Sequence, residues 1–214
     1  MKIRLFFAIL TTTLTAGVAA SQTTATKAFN TAPHEVIKLI DAMTRLDMID
    51  YYNAGSNTAS TIIYDEGGSI TDLTDSKITF TLSDKVTQSL YVLPAKGDTI
   101  IASVKTYRLP AVDSSIEFYD SQWNPIEISR VIDLPVIDLW LQKPTKESRE
   151  AFNRVVPFVP MEITINPETG TLTVTNDLAA LLPREAMAEL TDIVRPSVNY
   201  TWDSAKGKFK LAKQ

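Results

Sequence analysis

The stretch Met161-Glu162-Ile163-Thr164-Ile165, Asn166-Pro167-Glu168-Thr169-Gly170, Thr171-Leu172-Thr173-Val174-Thr175 reads as two alternating runs joined by a five-residue turn. A period of two is that of a strand whose side chains point to opposite faces. A turn this short, holding a proline and a glycine, joins antiparallel neighbours. Downstream, a helix is expected to begin near Pro183 and run through Ala186, Met187 and Leu190. Val198, Tyr200 and Trp202 then share an inward strand face, Asp203 to Gly207 turns the chain, and Phe209 and Leu211 bring it back. Upstream lie a short apolar helix over Leu134–Leu141, with Asp133 as its cap, and a second helical segment from Glu147 to Val155.

The same order is legible earlier in the chain. Thr31 and Pro33 suit the cap and first turn of a helix, since proline lacks an N–H that would be unpaired there. Val36, Ile37, Leu39, Ile40, Met43 and Leu46 follow at helical spacing. A second short helix, about residues 46–54, is closed by Gly55. Lys77 to Leu82 then alternates, with Ile78, Phe80 and Leu82 on one face. Gln88–Leu93 and Thr99–Tyr107 make a hairpin around Lys96-Gly97-Asp98, and Ser115–Tyr119 exits through Asp120–Pro125. Ile100, Ala102 and Val104 face away from Ile101, Ser103 and Lys105.

Runs of strands separated from runs of helices define an α+β protein, with antiparallel sheet packed against helices rather than a doubly wound parallel sheet. The helix-pair-then-strands order occurs twice, as a duplication would leave it, with halves at about 33–125 and 126–214. That order resembles the arrangement of the β-lactamase-inhibitor proteins, by analogy of fold alone. Residues 33–214 are expected to form one domain, with residues 21–32 a flexible tether.

The 214 residues are 44% hydrophobic and 21% charged, as expected of a globular chain long enough to bury a core. No cysteine is present, which excludes disulfides, thiol nucleophiles, thiolate metal sites and a lipidated N-terminal cysteine. The one histidine, His34, excludes sites built from two imidazoles. A pI near 5.1 argues against a nucleic-acid partner. No cofactor and no metal site is expected. Gly-x-Ser-x-Gly and Ser-x-x-Lys are both missing, and the only adjacent glycines, Gly67-Gly68, form no phosphate-cradling loop.

The N-terminus carries the most specific signal. Lys2 and Arg4 precede an apolar run from Leu5 to Leu10, diluted by threonines, and Val18-Ala19-Ala20 supplies small residues before Ser21. This is the pattern of a secretory signal peptide over residues 1–20. The run is shorter than the ~20 residues a spanning helix needs, so no membrane span is expected after cleavage. Loss of Lys2 and Arg4 takes the net charge from −4 to −6. The expected location is the periplasm or the cell exterior, and the protein is not a lipoprotein.

Carboxylates are the remaining catalytic vocabulary. Asp47 and Asp50, three apart, can lie on one helix face beside Tyr51, and Asp65-Glu66, Asp72 and Asp75 surround the glycine pair. None has calcium-loop spacing. Trp140, Tyr200 and Trp202 have the spacing of core residues, whereas Trp123, at a polar turn beside Asn124-Pro125, is the tryptophan expected at the surface. Trp123, Asp47, Asp50 and Tyr51 are therefore the contact candidates. Asn199-Tyr200-Thr201 matches a glycosylation triplet but falls within a strand.

Several segments carry a resemblance across the chain. They are Arg45-Leu46-Asp47-Met48-Ile49-Asp50-Tyr51-Tyr52, Gly67-Gly68 before Ile70-Thr71-Asp72-Leu73-Thr74, and Ser115-Ile116-Glu117-Phe118-Tyr119 before Trp123. Pro157-Phe158-Val159-Pro160 and Val198-Asn199-Tyr200-Thr201-Trp202-Asp203 before Gly207-Lys208-Phe209 complete the set. Together they resemble a domain-of-unknown-function family, number 3256, of exported proteins from Bacteroides-type bacteria. The resemblance implies a single-domain exported protein and assigns no functional residue. The function expected is a non-catalytic binding module with a protein or polysaccharide partner. The alternatives are a carboxylate-dependent hydrolase of envelope or dietary glycans, and a structural part of an envelope complex.

Overall fold

A computed structural model describes residues 23–56 and 68–213. The signal-peptide pattern, Ser21, Asp65, Glu66 and Gly67 lie outside the described residues. The first departure from expectation comes at once. Helix α1, Ala25–Thr31, stands where a tether was expected. Thr24 caps it by accepting the Lys27 N–H at 3.2 Å. Ala25, Ala28 and Phe29, at i, i+3 and i+4, are all buried, and the Phe29 ring meets Phe80 at 4.8 Å. Small alanines give a narrow apolar stripe that lets the helix sit close to the sheet.

The next helix also starts elsewhere. Residues 33–40 form turns rather than helix. Helix α2 spans Ala42–Asn53, because Asp41 accepts the Met43 and Thr44 N–H groups and restarts the chain. Thr31 does not cap it; its hydroxyl donates back to the Lys27 carbonyl. The expected stripe therefore splits. Val36, Ile37 and Ile40 are buried, while Met43 is 70% exposed. Inward on α2 are Met48, Ile49 and Arg45, whose guanidinium donates to the Phe29 and Ala32 carbonyls at 2.9 and 2.7 Å. The last carbonyls of α1 are thus satisfied by a buried charge, the kind of bond worth more than a neutral one.

The first sheet is an antiparallel meander: β1 Ile70–Leu73, β2 Lys77–Thr81, β3 Val86–Ala95, β4 Asp98–Arg108, β5 Val112–Tyr119 and β6 Pro125–Ile126, in that spatial order. The β3–β4 hairpin closes on Lys96-Gly97, with Ala95 opposite Asp98. Its register pairs Leu93 with Ile100 and Val92 with Ile101, so each face receives the residues the alternation assigned to it. Ile78, Phe80, Leu90, Val92 and Ile101 pack beneath α1 and α2.

Short helices follow: α3 Ile128–Val131, α4 Ile137–Trp140 and α5 Lys146–Val155. The apolar run Leu134–Leu141 yields only one turn of helix, and Asp133 is not its cap. Pro135 holds Leu134 out of the helical region. Asp133 instead pairs with Lys208 at 3.0 Å, and its carbonyl accepts the Tyr200 hydroxyl at 3.0 Å. The second sheet contains β7 Met161–Asn166, β8 Thr171–Asn176, β9 Ser197–Asp203 and β10 Lys208–Leu211, ordered β10-β9-β8-β7 and antiparallel throughout. Asn166 pairs with Thr171, so the turn between β7 and β8 is one residue shorter than read. Helices α6 Leu178–Leu181 and α7 Arg184–Leu190 connect β8 to β9. The molecule is therefore α+β, with helices and then strands occurring twice.

The sheets meet through side chains. The Met161 and Ile163 N–H groups at the edge of β7 donate to Asp113 Oδ1 and Ser114 Oγ on β5, at 3.0 and 3.2 Å. The Val112 N–H donates to Asp177 Oδ2 at 2.7 Å. These bonds occupy an edge that would otherwise be open to another strand. Behind them, Leu93, Val104, Ile116 and Phe118 share one apolar cluster with Ile165, Val174, Val198 and Phe209.

Candidate functional site

Pro157 and Pro160 bracket the segment Pro157-Phe158-Val159-Pro160 that leaves α5 for β7. Each proline fixes its own backbone and biases the residue before it towards an extended form. Val156, the C-cap of α5, is extended at φ −101° and ψ 105°. Opposite, Pro135 and Val136 lead into α4. Two elements that cannot coil into longer helices thus stand apart, and between them lies a groove of about 720 Å³.

Trp140 and Phe152, both 2% exposed, and Val156 line the groove deep in the protein. At its margin, beside the polar Asn153 and Asp138, apolar side chains are exposed: Val136 is 67% exposed, Phe158 58% and Ile137 40%. An isolated exposed apolar residue is ordinary, but several around one concavity mark a contact site. Asp138 is the only ionisable side chain in the lining. Arg149 clamps it with two bonds of 2.6 and 2.8 Å, which tie α4 to α5. The guanidinium holds the Asp138 carboxyl below its ordinary value, and Asp138 raises Arg149 in return. The groove thus offers apolar surface around a neutralised charge pair. It can hold an apolar group, and the lining supplies no nucleophile beside a base.

The four contact candidates lie elsewhere. Asp47, Asp50 and Tyr51 are all on the exposed side of α2. Trp123 is half-buried and faces α1: its indole N–H donates to Thr31 Oγ1 at 3.2 Å, and its ring meets Tyr119 at 5.4 Å. The structure brings Asp47, Asp50 and Tyr51 together on one helix, sets Trp123 against α1, and places none of the four in the groove lining. Among the described residues no three His, Cys, Asp or Glu side chains are close enough to share a metal ion. Phe158 and Val136 are not legible as site residues in the sequence, because a proline-flanked apolar residue looks there like any other core residue. The pair Pro157 and Pro160 was the available signal.

Two antiparallel sheets that share one apolar cluster, flanked by short helices around an apolar groove, define the class. The chain belongs to the family described as Protein of unknown function (DUF3256), matched over residues 17–209. It is similar in fold to a solved domain of an uncharacterized protein from Porphyromonas gingivalis W83, with a TM-score of 0.72 and 20% identity. The match covers 88% of this chain and 98% of that one. No curated protein matches the chain. Among the described residues no helix is long and apolar enough to cross a membrane.

Proposed function

We propose that the protein is an exported, non-catalytic binding module that holds an apolar segment of a protein partner in the groove between α4 and the 157–160 segment. The groove carries this reading: Val136, Ile137 and Phe158 expose apolar surface around a preformed concavity. Covering such surface is favourable by about 25 cal/mol per Å². The volume lies within the range of pockets that hold small ligands or side-chain anchors. Export rests on Lys2, Arg4, the apolar run and Val18-Ala19-Ala20.

Panning a random peptide library against the protein tests the binding reading. Peptides with apolar anchors are expected, and Phe158→Asp and Val136→Asp are each expected to weaken them by about tenfold or more. Peptides that bind both variants as tightly as the parent protein would overturn the groove as the site. N-terminal sequencing of protein from the envelope of its own cells tests export. A start at Ser21 is expected, and a mature chain that keeps residues 1–20 overturns it.

A further inference from the structure

A second concavity differs from the groove in character. The Lys96-Gly97 turn of the β3–β4 hairpin, the Asp203–Gly207 turn of the β9–β10 hairpin and α3 surround a pocket of about 450 Å³. The two turns are fixed to one another. The Lys96 N–H donates to the Ser204 carbonyl at 3.0 Å, and the Trp202 indole N–H to the Pro94 carbonyl at 2.8 Å. Gly207 has φ +61°, and a Cβ there would meet Ile100 Cδ1 at 3.2 Å.

Three cations from these three elements, Lys96, Arg130 and Lys206, line the pocket. None of their side chains has an ion-pair or hydrogen-bond partner among the described residues. Elsewhere Lys77, Arg149, Arg154 and Lys208 each meet a carboxylate at 3.0 Å or less. The two carboxylates in the pocket lining are engaged by their own loops. Asp98 Oδ1 accepts the Thr99 N–H at 2.7 Å. Asp120 accepts the Gln122 and Asn124 N–H groups and the Asn124 side-chain amide. Lys206 also feels Asp203, whose carboxylate is already bonded by Lys210 and by the Lys206 N–H.

We infer that this pocket binds the phosphate or sulfate monoester of a small ligand. The lining sets Lys96, Arg130 and Lys206 against Asp98 and Asp120, a formal excess of one positive charge in a chain of net charge −4, and a concave wall concentrates that field. A planar guanidinium and two ammonium groups suit a tetrahedral oxyanion, to which charge-assisted hydrogen bonds are the strongest kind. The volume fits one sugar-sized carrier, near the lower end of small-molecule pockets. The site is separate from the groove and does not depend on it.

Isothermal titration of the protein with glucose 6-phosphate, glucose 6-sulfate and glucose, at about physiological ionic strength, tests the assignment. At least one ester is expected to bind and glucose is not; the tighter ester names the group. Arg130→Gln, and Lys96→Ala combined with Lys206→Ala, should each weaken that ester by about tenfold or more. Phe158→Asp should leave it unchanged. Absence of binding by both esters overturns the inference, as does equal affinity in the parent protein and the variants.

Discussion

Trp123 adopts φ +67°, the single positive φ on a non-glycine among the described residues. The left-handed region costs a residue with a Cβ about 1–2 kcal/mol. The conformation persists because its surroundings over-determine it. Asp120 accepts the Gln122 and Asn124 N–H groups on either side, and the Trp123 ring is held by Tyr119 and Thr31. Trp123→Gly and Trp123→Ala both lose the ring, but only Ala keeps the strain. Trp123→Ala is therefore expected to be less stable than Trp123→Gly by about 1 kcal/mol in urea denaturation. Equal stability would mean the backbone is unstrained.

Asp120 also makes a statement about pH. Partial burial would raise its carboxyl, but the bonds from the Asn124 side chain and from the Asn124 and Gln122 backbone outweigh it. They hold the group below its ordinary 3.8. A carboxyl lowered on folding contributes stability that is present above 3.8 and lost as pH falls through the lowered value. Asp120→Asn should flatten the acid limb of the stability curve between about pH 5 and pH 2. An unchanged slope in acid melting curves would remove Asp120 from the account. The turn itself was legible in Gln122-Trp123-Asn124-Pro125. The partner of Trp123 was not, because Thr31 is distant in sequence and the segment holding it had no evident period.

At the scale of elements, most strands and the helices α5 and α7 were legible, whereas α1, α3 and α6 were not. Lys77–Thr81, the Lys96-Gly97 hairpin and Met161–Asn176 lie where alternation and turn chemistry put them. A two-residue period needs only five residues to declare itself. A helix of four to seven residues shows two turns at most; α7 was marked by the proline at its start, whereas α1, α3 and α6 left too little pattern to read. Proline cut α4 short for a local reason, whereas Asp41 displaced the start of α2 by capping better than Thr31. The groove follows from the shortening of α4 and the proline-bracketed 157–160 segment, which is why it could not be read from the sequence.

α1 supplies the sharpest test at this scale. If it packs as a helix under α2, Phe29→Ala removes a fully buried ring from against Phe80. A cost of about 3–5 kcal/mol in chemical denaturation is expected. A segment that served only as a tether would tolerate the change with none. Gly207→Ala should also destabilise, by about 1–2 kcal/mol, since it combines a positive φ with a Cβ at 3.2 Å from Ile100. Its effect is expected to appear in melting temperature.

For the whole molecule, the first sheet is shared property. One face carries Ile78, Phe80, Leu90 and Ile101 beneath the N-terminal helices. The other carries Leu93, Val104, Ile116 and Phe118 against residues of the second sheet. Neither sheet can lose its partner without uncovering the common cluster. Unfolding is expected as one cooperative transition, with tryptophan fluorescence and far-ultraviolet circular dichroism coincident. Two resolved transitions would separate the halves.

That sharing imposes an order of birth. The six strands of the first sheet leave the ribosome before any of the second, and they fold into a meander with mostly local pairings. Their Leu93, Val104, Ile116 and Phe118 face shares its cluster with Val131, Ile132 and Trp140 soon afterwards, but Val174, Val198 and Phe209 arrive only near the end of the chain. A chain that ends before the second sheet would leave that face only partly covered. A chain stopped before residue 160 is therefore expected to precipitate rather than fold, because exposed apolar surface and unpaired strand edges drive aggregation.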